Sequence, residues 1–298
     1  MASLEVIQNM TDKREDLVLK AFAGLESGIV ASGSTCGVVT GGAFGLALMH
    51  DNVLREGGVA AEAEALALVG EYVQWFKASF GSSLCRERSG VNFYTTSGLL
   101  RYFFPGDRVG RCLWHIRGAI RHLYTYQDKD LPVIEAEPKE MGCEPIHCAQ
   151  AVLKGIKDRT GLGDPLLERL SFIFDGGVGF QGEACGALAG AIMGINLLLG
   201  LDIRKTNYLQ TIRAFIVGHN NLVTDKSTVA TEPFIVGKNI VQGFRMKAGA
   251  IECRAITEKQ FFNWTDFQKH ISTSAKCSGL IEFATNEASN AIQIMSHE

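Results

Sequence analysis

The side chains in this sequence that are best suited to chemistry are its cysteines. A thiolate can act as a nucleophile or as a metal ligand. The N-terminus is charged, and we expect no secretory leader there. This predicts a location in the reducing cytoplasm. In that compartment cysteines serve metal or redox chemistry more often than structural disulfides. No Cys-x-x-Cys pair occurs, which excludes thioredoxin-type, zinc-ribbon, bacterial ferredoxin and covalent-haem motifs. The eight cysteines are Cys36, Cys85, Cys112, Cys143, Cys148, Cys185, Cys253 and Cys277.

One block of sequence that contains a cysteine recurs at a fixed shift. Shifting the sequence by 149 residues aligns residues 28–47 with residues 177–196 without a gap. Six positions are identical, and general hydrophobic similarity would have matched Leu, Val and Ala instead. They are Gly28/Gly177, Gly33/Gly182, Cys36/Cys185, Gly37/Gly186, Gly41/Gly190 and Gly45/Gly194. Farther along, Cys85-Arg86 and Cys112 in the first half resemble Cys253-Arg254 and Cys277 in the second. We interpret this as a duplicated domain, with an N-terminal repeat over residues 1–127, a linker over 128–142 and a C-terminal domain over 143–298.

Helical periodicity dominates both halves and predicts an all-α fold of two repeated helical bundles packed through glycine-rich helices. Asp164 followed by Pro165 is typical of a helix start. Short strands near 172–174 and 234–236 are left open. The helices are expected over residues 60–80, 148–157, 165–174, 208–217 and 276–294.

The glycines of each repeat follow one another at intervals of four, which places them on one face of a helix. Glycine inside a helix costs about 1 kcal/mol relative to alanine, so something must offset several such costs. Two readings stay open at this point: two central helices packed tightly against each other, or a face cleared for a cofactor. Under the second reading, Gly182, Gly186 and Gly190 are candidate cofactor-binding residues.

Other side chains near the cysteines are weaker candidates. Cys36 and Cys185 are expected at helix starts, where the helix dipole stabilises a thiolate. Arg86 and Arg254 could tune the charge of the preceding thiol or lie on the surface. His147, beside Cys148, is a further candidate. Residues 177–182 satisfy G-x-G-x-x-G, but a predicted helix rather than a strand precedes them, so a dinucleotide site is disfavoured.

The C-terminal half resembles the redox-active family named for its pattern C-GCAxxG-C-C. The segments that carry the resemblance are HCAQAVLKGI, GGVGFQGEACGALAGAIMGINLLLG, IECRAITE and KCSGLIEFATNEASNAI. A related cysteine-bearing domain in split-Soret cytochromes is associated with an iron–sulfur cluster. The resemblance therefore implies that Cys148, Cys185, Cys253 and Cys277 form one metal-binding set, with an iron–sulfur cluster as the cofactor and zinc or no metal as the alternatives.

The N-terminal repeat departs from this pattern because the counterpart of Cys148 would fall before Met1. It offers Cys36, Cys85 and Cys112, and Cys143 could complete a weaker second set by reaching back from the linker. Cys143 could equally associate with Cys148 or be an idle thiol.

Composition narrows the function classes further. The chain has 298 residues, is 46% hydrophobic and carries a net charge of −3 with scattered basic residues, so no nucleic-acid partner is expected. Residues 184–201 carry no charge, and a buried helix is favoured there over a membrane span because charges flank the stretch. Three functions remain: an iron–sulfur electron-transfer protein, a metal-free thiol–disulfide or sulfur-handling enzyme, and a non-catalytic helical protein. The redox partner is not specified, and a homo-oligomer is left open.

Overall fold

The computed structural model describes residues 2–132, 144–224 and 232–296. Over these ranges the protein is helical and has no strand, which confirms the all-α prediction. Two isolated antiparallel bridges are the extended pairings in the same ranges, and they join Thr35 to Leu84 and Ala184 to Glu252. Because the two pairs lie at matching places in the repeats, they are the first sign that the duplication extends to backbone detail.

The two repeats use their helices in the same order. The N-terminal repeat contains α1 (Ala2–Met10), α2 (Asp16–Phe22), α3 (Gly37–Met49), α4 (Asp51–Phe80), α5 (Cys85–Ser89), α6 (Thr96–Phe103) and α7 (Asp107–Leu123). The second contains α8 (Cys148–Thr160), α9 (Pro165–Leu170), α10 (Gly186–Leu199), α11 (Tyr208–Thr224), α12 (Glu232–Ala248), α13 (Cys253–Thr257), α14 (Trp264–Ile271) and α15 (Ala275–Ser296). The single helix α4, which is kinked at Gly58, takes the place of α11 and α12.

The predicted helix boundaries are close to those observed. The Asp164 carboxylate accepts a hydrogen bond from the backbone N–H of Leu167 at 2.7 Å, and Pro165 occupies the first turn of α9 as expected. The short strands left open near 172–174 and 234–236 are absent. The first segment is a 3₁₀ turn, and the second lies within α12.

The glycine faces are covered within each repeat. In α10, a β-carbon on Gly190 would lie 2.8 Å from the carbonyl oxygen of Ala149 on α8, and in α3 a β-carbon on Gly41 would lie 2.8 Å from the Ser3 hydroxyl on α1. The glycines thus allow close approach of the first helix of the same repeat. The expected partner, the other glycine-rich helix, is not what covers them.

Helix α10 is buried on nearly all sides, which explains its uncharged sequence. It contacts α8 and α15 of its own repeat and also α2 of the N-terminal repeat. Within the described ranges, no helix combines the length and apolar character needed to cross a membrane.

Before each glycine-rich helix the chain makes a left-handed turn, over residues 27–31 and 176–180. All five residues of each turn have positive φ, including Ile29 at 60° and Val30 at 48°. The left-handed conformation costs about 1–2 kcal/mol for each residue that has a β-carbon, and branched side chains adopt it only where the surroundings impose it. Equivalent backbone hydrogen bonds close the two turns, from Val30 N–H to Gly24 O at 2.8 Å and from Gly179 N–H to Ile173 O at 2.9 Å.

Buried charges join the repeats. The Glu183 carboxylate lies 2.6 Å from Lys77 Nζ and also accepts hydrogen bonds from Thr35 and Ser83. Asp51 pairs with Arg169 of the C-terminal repeat. Each of these carboxylates is about 5% exposed or less. The partners of Glu183 come from the other repeat, whereas Asp51 combines Arg169 with Lys13 and Arg55 of its own repeat, and these contacts offset the cost of leaving water.

We predict that Gly190→Ala destabilises the protein by about 1–3 kcal/mol, because the added methyl meets backbone atoms of Ala149 that cannot rotate away. Chemical denaturation measures the change. Gly279→Ala is the matched control: it lies in α15 with nothing near its β-carbon position, and should stabilise by up to about 1 kcal/mol. Equal effects of the two changes would contradict the packing described for α8 and α10.

Candidate cysteine site

The backbone bridge of the C-terminal repeat sets two cysteines side by side. The Cys185 N–H donates to Ile251 O at 2.9 Å, and the Cys253 N–H donates to Glu183 O at 2.6 Å. Cys185 then caps α10 and Cys253 begins α13. The position of both thiols is therefore fixed by main-chain hydrogen bonds rather than by side-chain packing alone.

Helices α8 and α15 bring the other two predicted ligands to the same place. Cys148 begins α8, Cys277 lies in the first turn of α15, and both line one small cavity with Cys185 and Cys253. The free volume between the side chains is about 20 Å³, and the accessible lining is almost wholly apolar. Four cysteines spread over 130 residues of sequence thus face one another.

Burial dominates the electrostatics of this cavity. It raises the pKa of Cys148 and Cys253 well above the ordinary thiol value and the pKa of Cys185 to about 11. Backbone N–H groups of α10 lower the pKa of Cys185, as expected at a helix start, but burial outweighs them. The expectation of a low-pKa thiolate at Cys185 is therefore wrong. The raised pKa favours the protonated thiol at neutral pH.

The three candidate glycines have different surroundings. Gly186 lines the cavity, and a β-carbon on it would lie 2.9 Å from Cys148 Cβ, so glycine there makes room for the thiol. Gly190 packs against α8 and Gly182 lies against the Arg254 side chain, and neither lines the cavity. The glycine stripe therefore serves mainly helix packing.

The arginines that follow the equivalent cysteines point away from them. Arg86 forms an ion pair with Glu252 of the other repeat at 2.6 Å, and Arg254 contacts the Gln260 side chain. The thiol contact is made instead by Arg88, whose Nη1 lies 2.8 Å from Cys36 Sγ. Sequence reasoning missed Arg88 because the residue at the matching position of the other repeat is Ile256.

The N-terminal repeat places its three cysteines in a second cavity. The Cys36 N–H donates a hydrogen bond to Ser83 O, and the Cys85 N–H donates one to Ser34 O, both at 2.8 Å. The same pair of hydrogen bonds occurs in the other repeat. Cys112 on α7 completes the group. Cys143, the predicted fourth member, lies outside the described residues.

A sequence profile described as "Putative redox-active protein (C_GCAxxG_C_C)" matches residues 1–120 and again residues 146–291. The chain belongs to this family. The C_GCAxxG_C_C profile thus covers both repeats. No curated protein and no solved structure shows significant similarity to the chain.

The family cysteines are not arranged around a single ion. Within the described residues, no group of three or more His, Cys, Asp or Glu side chains is arranged to hold one metal ion. As donors, however, four thiols facing one apolar cavity are the set that iron–sulfur clusters use. In the N-terminal cavity the Arg88 guanidinium contacts Cys36 Sγ, so a metal ion bound there would meet an existing positive charge. The second cysteine set stays a prediction, because Cys143 lies outside the described residues.

His147 has a structural environment rather than a ligand's. Its Nδ1 lies 2.6 Å from Asp175 and its Nε2 lies 3.3 Å from Glu62 of the other repeat. Burial works to lower the pKa of His147, but the two carboxylates outweigh burial and raise it to about 10. Asp175 also accepts a hydrogen bond from the Cys148 N–H at 3.1 Å. An acid at the matching position, Glu26, was a sequence signal that could have identified Asp175.

We predict that Asp175→Asn destabilises the protein by about 3–5 kcal/mol at pH 7, because it leaves His147 buried without its charged partner. A histidine whose folded pKa is raised contributes stability that is complete below about pH 6.5 and is lost as the pH rises through about 10. The difference between wild type and Asp175→Asn in denaturation under reducing conditions should therefore shrink between pH 7 and pH 10.5.

Asp164→Asn is the matched control for that experiment. Asparagine caps a helix as well as aspartate, so the change should alter stability by less than about 0.5 kcal/mol. A loss in Asp175→Asn that is the same at both pH values would contradict the role given to His147.

Proposed function

We propose that the protein is a redox protein whose C-terminal repeat holds an iron–sulfur cluster on Cys148, Cys185, Cys253 and Cys277 and transfers electrons through it. The observation that carries this proposal is that four thiols from four separate helices line one apolar cavity. A bound cluster supplies reversible one-electron chemistry. The cysteines hold it, and the surrounding apolar side chains exclude water.

The protonation of the thiols supports a metal-based function over a metal-free one. A metal-free thiol enzyme needs a thiolate nucleophile, whereas burial raises the pKa of Cys148, Cys185 and Cys253. Ligation displaces the thiol protons, and the positive charge of the metal then stabilises the thiolates. The described residues that line the cavity include no lysine or arginine, and the His270 Nε2 lies 3.8 Å from Cys277 Sγ.

The description of the family favours a cluster over zinc. Four cysteines are a donor set that both a structural zinc ion and an iron–sulfur cluster use. Zinc has no redox chemistry, whereas the matching family is described as redox-active. Loading requires the thiol side chains to rotate outward, because the present free volume of about 20 Å³ is room for about one water molecule.

That small volume is also the observation that favours the second candidate, a metal-free thiol–disulfide protein. Thiols in a cavity of this size are close enough to be candidates for exchange without an inorganic core. Anaerobic purification followed by visible absorption and assays of iron, zinc and acid-labile sulfide separates the two. Iron and sulfide in near-equal amounts support the cluster, and their absence with titratable dithiols supports the second candidate.

We predict that Cys185→Ser removes most of the iron and sulfide bound by the C-terminal repeat, because a serine hydroxyl is a much poorer cluster ligand than a thiolate. Metal analysis and the visible spectrum report the loss. Cys112→Ser in the other repeat is the control and should keep the metal and spectrum of the wild type. Full retention of both in Cys185→Ser would refute the ligand assignment.

A further inference from the structure

The N-terminal repeat contains a cavity of about 210 Å³ at the place where the C-terminal repeat has its four-thiol cavity. It is bounded by α1, α3, α5, α6 and α7. Three thiols line it, from Cys36, Cys85 and Cys112, and the cavity is about ten times larger than its four-thiol counterpart. An engineered cavity of about 150 Å³ binds benzene, so this one has room for a small ligand.

Arginine has replaced an apolar residue in this cavity. Arg88 occupies the position of Ile256, and its guanidinium donates to Cys36 Sγ at 2.8 Å and contacts His115 Nδ1. It also stacks over the Phe76 ring at 4.7 Å. Within the described part of the chain it forms no ion pair with a carboxylate, and its buried Nε has no hydrogen-bond partner. A guanidinium held this way lacks its usual anionic partner.

Two further arginines add to the positive charge. Arg108 lines the cavity and donates to the backbone carbonyls of Ser89 and Arg101. Arg111 lines it as well, and its contact with Asp107, at 3.9 Å on the surface, neutralises little of its charge.

The cavity has little negative charge to balance them. Glu26 is the acidic residue among the described side chains that line it. Burial raises the pKa of Glu26 to about 8, so the carboxyl is largely uncharged at neutral pH. Its buried Oε1 has no hydrogen-bond partner, in contrast to the matching Asp175, which binds both His147 and the Cys148 N–H.

We propose that this cavity, lined by Arg88, Arg108 and Arg111, is a binding site for a small anion, which it holds beside the thiol of Cys36. A thiol, an unpaired guanidinium and an open volume together suit an anionic ligand that must contact sulfur. The two repeats then differ in chemistry. One has a cavity lined by four thiols, and the other has a cavity lined by three thiols and three arginines. The site is independent of the function proposed for the C-terminal repeat.

The test compares two alkylating reagents at Cys36. Iodoacetate and iodoacetamide attack the same thiolate, displace iodide and form the same S–C bond, but only iodoacetate is an anion. The ratio of their rates therefore cancels the thiolate fraction and reports attraction of the negative charge. We expect the iodoacetate-to-iodoacetamide ratio at Cys36 to exceed that of the uncharged reference thiol N-acetylcysteinamide at least about five-fold at the same ionic strength, measured by mass spectrometry on the purified protein.

Arg111→Gln removes one of three charges at a half-exposed position, so the fold is kept and the ratio should fall about two-fold. Arg117→Gln is the matched control: it makes the same charge change on the same helix, away from the cavity, and should leave the ratio unchanged. Added sulfate should slow both reagents at Cys36 in wild type more than in Arg111→Gln.

Three results would overturn the proposal. One is a wild-type ratio equal to that of N-acetylcysteinamide. Another is an equal response of Arg111→Gln and Arg117→Gln. The third is failure of both reagents to modify Cys36, which would mean that the cavity is closed to ligands or that a metal occupies its thiols.

Discussion

The arrangement of the cysteines depends on one backbone constraint, which is the short antiparallel bridge that follows each left-handed turn. The turn reverses the chain, and a residue shortly after it pairs with the residue just before α5 or α13. In each repeat, two cysteines directly follow the bridged residues and are held side by side by it. They are Cys36 with Cys85, and Cys185 with Cys253. The strain of a left-handed run is of order 1–2 kcal/mol per residue with a β-carbon, and burial together with equivalent backbone hydrogen bonds in the two turns holds it in place.

The glycine-rich helices depend on the same constraint, because each begins directly after a bridge. Their glycines let α1 and α8 approach to backbone contact. For α8, this close approach carries Cys148 to the cavity, where Gly186 leaves space for it. Helix packing and the thiol site are therefore one arrangement: the residues that weaken α10 as an isolated helix allow the helix–helix contact that brings the fourth thiol to the others.

The pseudo-symmetry of the fold is broken where the two repeats differ in charge. Asp175 is matched by Glu26, but their surroundings differ. Asp175 binds His147 and the Cys148 N–H, whereas burial raises the pKa of Glu26 to about 8 and His219 Nδ1 lies 3.9 Å from its Oε1. Arg88 in place of Ile256 then makes one cavity cationic and leaves the other apolar. One backbone design thus presents two different chemical environments.

The sequence by itself determined the duplication, the helical class and the cysteine pairs. A recurrent Gly and Cys frame at a fixed shift needs no tertiary information, and helical periodicity is local. The sequence did not determine what covers the glycine faces, because a stripe of glycines indicates that another helix approaches closely but not which helix. It also favoured Arg86 over Arg88 near the thiols. The two lie two residues apart on one short helix, and only the direction in which each side chain leaves α5 in the folded structure decides which one meets Cys36. The left-handed turns were beyond sequence reasoning because Ile29 and Val30 disfavour that conformation locally, and only the surrounding tertiary contacts impose it.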